Sequence, residues 1–169
     1  MEKIIVIGCP GSGKSTFSKA LHEITNIPLF HLDNLYWNSD RTTVSKSVFS
    51  QRLSQILLQN TWIIDGNYAS TMVQRMEACD TIIFLDYPTE LCLNGIYERK
   101  NKCRSDIPWV ETTNPDPEFI AFVENFQQEG RIQILNLLSQ HTQKNVFIFR
   151  TRDEATNFLK ELTLYIDMH

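Results

Sequence analysis

No stretch of the 169-residue chain is apolar for long enough to cross a bilayer, and no basic-then-apolar segment opens it. Neither a membrane partner nor a secreted destination is therefore expected. Basic residues are in the minority, 16 Lys and Arg against 20 Asp and Glu, for a net charge of −4. A general DNA-binding surface needs the opposite balance, although a local basic patch stays open. Cysteine is scarce: Cys9, Cys79, Cys92 and Cys103 form no C-x-x-C pair and have no metal-ligand spacing. That argues against a structural zinc site and a disulfide framework, and for reduced thiols in a cytoplasmic protein. Internal repeats and low-complexity tracts are missing too. What remains is an ordinary globular composition, 42% hydrophobic, for one domain spanning the chain, as a monomer or a homodimer.

Apolar runs alternate with helical periods, which predicts a parallel α/β sheet. Strands are expected at 3–7, 28–32, 61–65, 81–86 and 145–149. Helices are expected at 13–24, 44–58, 69–76, 90–102, 119–139 with an interruption at Gly130, and 153–165 with Asp153 as N-cap. Segment 103–118 carries Pro108, Pro115 and Pro117 and has no apolar period, so it reads as a lid over the site.

The most specific signal is Gly8-Cys9-Pro10-Gly11-Ser12-Gly13-Lys14-Ser15, a complete G-x-x-x-x-G-K-[ST] loop between the first strand and the first helix. Backbone N–H groups of such a loop, up to Thr16, converge on one anion at the positive end of the helix dipole. Lys14 would reach the β- and γ-phosphates, and the Ser15 hydroxyl would ligate Mg²⁺. A nucleoside triphosphate, with ATP and Mg²⁺ as the natural pair, is the implied ligand. Cys9, a small residue at a variable loop position, reads as a packing residue rather than a reactive thiol.

Ligands of open parallel sheets sit at the carboxyl ends of the strands, so the polar residues just beyond each strand are the next candidates. Strand two offers His31 to bond a substrate oxygen, and Asp33 to orient a substrate hydroxyl or Mg²⁺-bound water. Strand three offers Asp65 behind the metal and Asn67 and Tyr68 as acceptor contacts. Asp86, after strand four, reads as a cap of the strand–Pro turn. Arg150 and Arg152 follow the last strand, where a purine ring could lie against a guanidinium. Arg41 and Arg75 flank the acceptor side. Arg99, Arg104 and Arg131 bracket the lid and are the candidates for clamping the transferred phosphoryl group.

With the phosphate loop, His31-Leu32-Asp33, Trp62-Ile63-Ile64-Asp65-Gly66, Phe84-Leu85-Asp86-Tyr87-Pro88 and the final strand, the chain resembles the adenylate-kinase-like group of small P-loop kinases. Within that group, His31-Leu32-Asp33-Asn34-Leu35-Tyr36-Trp37, Ile63-Ile64-Asp65-Gly66-Asn67-Tyr68 and Arg75 before the fourth strand resemble the bacterial DNA topology modulation proteins. The resemblance implies that Asp65 supports Mg²⁺, as the acid of the acid–Gly pair does in nucleoside monophosphate kinases. It also implies that Asp33 contacts substrate, as in shikimate- and gluconate-kinase-like enzymes. Asn67-Tyr68 stands where adenylate kinases carry Pro-Arg. The expected fold is a three-layer α/β/α sandwich with five parallel strands in the order 2-3-1-4-5. The expected function is phosphoryl transfer from ATP to a small-molecule acceptor. The alternative is a slow ATPase acting through a macromolecular partner such as nucleic acid.

Overall fold

The computed structural model describes residues 1–99, 106–107 and 114–168. Five strands, β1 (Lys3–Gly8), β2 (Leu29–His31), β3 (Trp62–Asp65), β4 (Thr81–Leu85) and β5 (Asn145–Phe149), form one parallel sheet in the order β2-β3-β1-β4-β5. The described helices are α1 (Lys14–Thr25), α2 (Leu32–Tyr36), α3 (Lys46–Leu57), α4 (Ala69–Ala78), α5 (Thr89–Tyr97), α6 (Pro117–Asn125), α7 (Gly130–Ser139) and α8 (Arg152–Asp167). Ile4, Ile5, Val6 and Ile7 are all 0% exposed. Successive strand side chains point to opposite faces, so a strand with no exposed position is covered on both, and near-continuous apolar runs are what such a strand requires. Ile82–Leu85 of β4 repeats the pattern, whereas β5 buries only Phe149 and is an edge.

Local chemistry explains where the elements meet expectation and where they depart from it. The helix expected over 119–139 is interrupted ahead of Gly130, as expected, into α6 and α7. Asp116 caps α6 by accepting the Glu118 N–H at 2.8 Å, and α7 restarts at Gly130, where a Cβ would lie 2.7 Å from the Phe126 ring. The N-cap of α8 is Thr151 rather than Asp153, because the Thr151 hydroxyl accepts the Glu154 N–H at 3.2 Å. A short helix, α2, follows β2 directly, so Asp33 sits on a helical turn and not on a strand end.

One contact ties the phosphate loop to the scaffold behind it. A Cβ on Gly11, whose φ is 85°, would lie 1.9 Å from the Cys92 carbonyl oxygen, and a Cβ on Gly95 would lie 2.1 Å from the Gly11 carbonyl oxygen. The loop and α5 thus touch backbone to backbone. Alanine is normally favoured over glycine inside a helix by about 1 kcal/mol. Here Gly95→Ala is expected to destabilise instead, by about 1–3 kcal/mol of overpacking. A thermal melt checks it: an unchanged or higher midpoint contradicts the close approach.

Candidate active site

β1 delivers the chain at Gly8, and the Ser12 N–H closes a turn onto the Cys9 carbonyl at 3.1 Å. Helix α1 then begins at Lys14 behind Gly13, and no side chain caps its first turn. Its leading N–H groups and dipole are therefore presented at the loop. Lys14 arches over that loop, its Nζ donating to the Gly8 carbonyl at 2.9 Å and to the Cys9 carbonyl at 3.1 Å. Burial, and next the nearby Arg99, push the ammonium pKa below its usual range, against the pull of Asp65, Cys9 and Asp33. The Ser12 hydroxyl is buried with no hydrogen-bond partner among the described residues, an arrangement that costs stability unless something else meets it.

An open cleft of about 900 Å³ runs along the loop, walled by Gly13, Ser15, Thr16, Arg99, Asp106 and, from α8, Arg152. Two of the expected arginines, Arg99 and Arg152, are thus brought to the cleft. Arg150 is exposed and does not line it. Its backbone N–H donates to Glu154 Oε2 at 2.6 Å. Pro10 forms part of the turn that starts the loop.

The acceptor side is built around Asp33, half-buried on α2. The Tyr68 hydroxyl donates to its Oδ1 at 2.7 Å. Burial pushes the Asp33 carboxyl above the usual carboxylate range, partly offset by the Tyr68 hydrogen bond and by the charge of Lys14. Burial and the Asp33 charge likewise raise the Tyr68 phenol. The Tyr68 ring packs against Tyr36 and Phe49 at centroid distances of 5.1 Å each, and Tyr36 meets Trp37 edge-on at 5.5 Å. Asp33 therefore stands at the head of an aromatic wall.

Several expected contacts turn out to be scaffold. Asn67 Oδ1 accepts the Gly8 N–H at 3.1 Å, pinning the loop's entry to the end of β3. Arg75 is 0% exposed and does not reach the cleft. Its guanidinium donates to the carbonyls of Gly66 at 2.9 Å, of Asn67, and of Tyr68 at 3.3 Å, and its Nε donates to Thr71 Oγ1 at 3.2 Å. Burial pushes its pKa down to about 10. Arg131 makes a bidentate pair with Asp86, Nε to Oδ1 at 2.7 Å and Nη2 to Oδ2 at 2.9 Å, so it is held away from a role as phosphoryl clamp, and Asp86 is its partner rather than a simple turn cap. Arg41 lies on an exposed turn at a φ of 66°. Arg104 and most of the expected lid lie outside the described residues.

His31 is buried, and its Nδ1 lies 2.9 and 3.0 Å from the two carboxylate oxygens of Asp65. Burial opposes charge on the imidazole, but the Asp65 carboxylate outweighs it and the pKa is raised. Cys9 is 1% exposed, with the Cys92 thiol and burial pushing its pKa up, so the loop cysteine is an inert packing residue. Asp106 was not singled out in the sequence. It is 4% exposed, and its Oδ2 accepts the Ser15 hydroxyl at 2.7 Å. The one hint of it was a carboxylate within a proline-rich segment that is otherwise without pattern.

No family model matches the chain, and no curated protein matches it in sequence. The narrower resemblance to DNA topology modulation proteins therefore gains no support. Among solved structures, shikimate kinases are similar in fold. The Acinetobacter baumannii enzyme in complex with shikimate aligns at a TM-score of 0.65 and 14% identity, over 98% of this chain and 93% of that one. The Bacteroides thetaiotaomicron enzyme aligns at 0.60 and 15% identity over 97% of both chains. The Aquifex aeolicus enzyme aligns at 0.53 and 14% identity, over 97% and 95%. At such identities the likeness concerns architecture: the chain has the fold of the small P-loop kinases.

Proposed function

We propose that the protein is an ATP- and Mg²⁺-dependent phosphotransferase acting on a hydroxyl of a small molecule. The observation that carries this reading is the pairing of a complete phosphate loop with a half-buried carboxylate, Asp33, whose Oδ1 accepts the Tyr68 hydroxyl at 2.7 Å and which lies within electrostatic reach of Lys14.

In this reading the loop N–H groups and Lys14 bind the β- and γ-phosphates, and the adenosine end runs toward Arg152 and the start of α8. The donor set fits Mg²⁺, since the Ser15 hydroxyl is a hard oxygen ligand and the phosphates supply others. The ion, when bound, would neutralise charge on the transferring phosphoryl oxygens. Asp33 accepts the proton of the acceptor hydroxyl, and the Tyr68 hydrogen bond holds the carboxylate in place for that task. Arg99 faces the developing charge from the cleft wall.

Two arginines near the acceptor side are engaged by backbone carbonyls, Arg75 as described and Arg52 by Leu35 at 2.9 Å. The aromatic wall of Tyr36, Phe49 and Tyr68 beside Asp33 suits a ring-bearing acceptor.

The test is ADP release with ATP and Mg²⁺ across a panel of nucleosides, nucleotides, sugars and polyol acids, shikimate included because the solved structures of like fold are shikimate kinases. One acceptor class should stimulate release, and Asp33→Asn should cut that stimulated rate by about 10²–10⁴-fold. Because the base must be ionised, the rate should climb with pH through the raised pKa of Asp33, and Asp33→Asn should abolish that limb. Release that ignores every acceptor would replace transfer with the slow-ATPase reading.

A further inference from the structure

Strand position favours Asp65 as the acid behind the Mg²⁺-ligating serine, but its side chain is otherwise engaged. Both Asp65 carboxylate oxygens lie against His31 Nδ1, and the residue is 3% exposed. The Ser15 hydroxyl instead donates a hydrogen bond to Asp106, a residue 91 positions away in the chain. The geometry points to Asp106 as the residue that positions Ser15 for the metal, an assignment that rests on the nucleotide-binding reading above.

The chemistry of a hydroxyl makes this arrangement productive. Ser15 has one proton and two lone pairs. A proton directed at the Asp106 carboxylate leaves the lone pairs facing elsewhere, and one of them is what a hard cation needs. The O–H···O⁻ distance of 2.7 Å is that of a charge-assisted bond, which fixes the rotor of an otherwise freely turning side chain. Asp106 also belongs electrostatically to the site, since its charge raises the pKa of both His31 and Asp33. In this arrangement Asp65 serves His31, and the metal-supporting acid comes from the segment between α5 and α6 instead of from the sheet.

The test is calorimetric titration of ATP into the full chain, with Mg²⁺ and with EDTA. Wild type should bind ATP more tightly with Mg²⁺. Asp106→Asn should lose tenfold or more of that gain, within the roughly 10–100-fold range for residues that hold a ligand in place. Its affinity in EDTA should be unchanged, because the loop itself is intact. Asp65→Asn should retain the Mg²⁺ gain. Ser15→Ala should lose it, and the S15A/D106N double variant should be no worse than S15A alone. Asp106→Ser, assayed alongside, guards against a variant that fails to fold. The assignment is overturned if D106N and D106S keep the full Mg²⁺ gain, if they lose affinity equally in EDTA, if D65N loses the gain in their place, or if the S15A and D106N losses add. A wild type whose ATP affinity ignores Mg²⁺ would overturn it together with the metal-dependent reading. ATP binding that responds to Mg²⁺ but not to residue 106 would overturn this inference alone.

Discussion

Lys14→Ala is expected to lower kcat/KM for ATP by about a hundred- to a thousandfold, the loss typical of a preorganised donor aimed at transition-state charge. The fold should survive. Lys14 packs no core; its two bonds go to the carbonyls of Gly8 and Cys9, which water can satisfy once the side chain is gone. The net loss of stability should be about 1 kcal/mol. The two effects separate because the ammonium here bonds only backbone carbonyls, whereas in the proposed complex it would meet phosphate oxygens. Calorimetry and a thermal melt on the same sample check both. An ATP affinity equal to that of wild type would detach the loop from nucleotide binding altogether.

Arg75→Met should be the most destabilising single change at the site, by about 3–5 kcal/mol, since each buried carbonyl left without its donor costs about 1–3 kcal/mol. Three consecutive carbonyls, of Gly66, Asn67 and Tyr68, lose their donor together. Methionine restores the volume but none of the bonds. In a protein of this size the melting temperature should fall by about 10 °C or more. Arg75→Lys should be intermediate, because a point donor cannot span a fan of carbonyls. The same fan holds Tyr68 at a φ of 32°, a left-handed conformation unusual for an aromatic residue, and so aims its hydroxyl at Asp33. R75K should therefore raise KM for the acceptor more than KM for ATP. Equal effects on both would make Arg75 a general stabiliser with no particular bearing on the acceptor side.

Much of this was legible because it is local. The phosphate loop is a contiguous string whose backbone dictates its own geometry. The buried strands announce themselves by apolar runs, and the order of β2-β3-β1-β4-β5 agrees with the resemblance that the loop and strand ends carry. Asp33 and Tyr68 each follow a strand, where ligands of parallel sheets gather, and they do meet, although the hydrogen bond between them spans 35 positions. What stayed illegible depends on distant partners. Arginine reads as a surface residue, so nothing marked Arg75 as the spine of the Gly66–Tyr68 turn, and nothing distinguished Arg131, bound by Asp86, from a mobile clamp. The choice between Asp65 and Asp106 turns on His31 occupying the former, a pairwise fact that no periodicity encodes.

The contact between Gly11 and α5 has a mechanical side. Side chains between two elements act as springs, since a rotamer change absorbs a displacement of an ångström or so. Where a carbonyl rests directly on a Cα there is no spring. Thermal wandering of the phosphate cradle is thus damped by the whole mass of α5, and any lateral slip of α5 reaches the cradle undiminished. The loop is as stiff as the helix behind it, and a strain gauge for it, such as a spectroscopic probe, belongs on the exposed face of that helix at Tyr97.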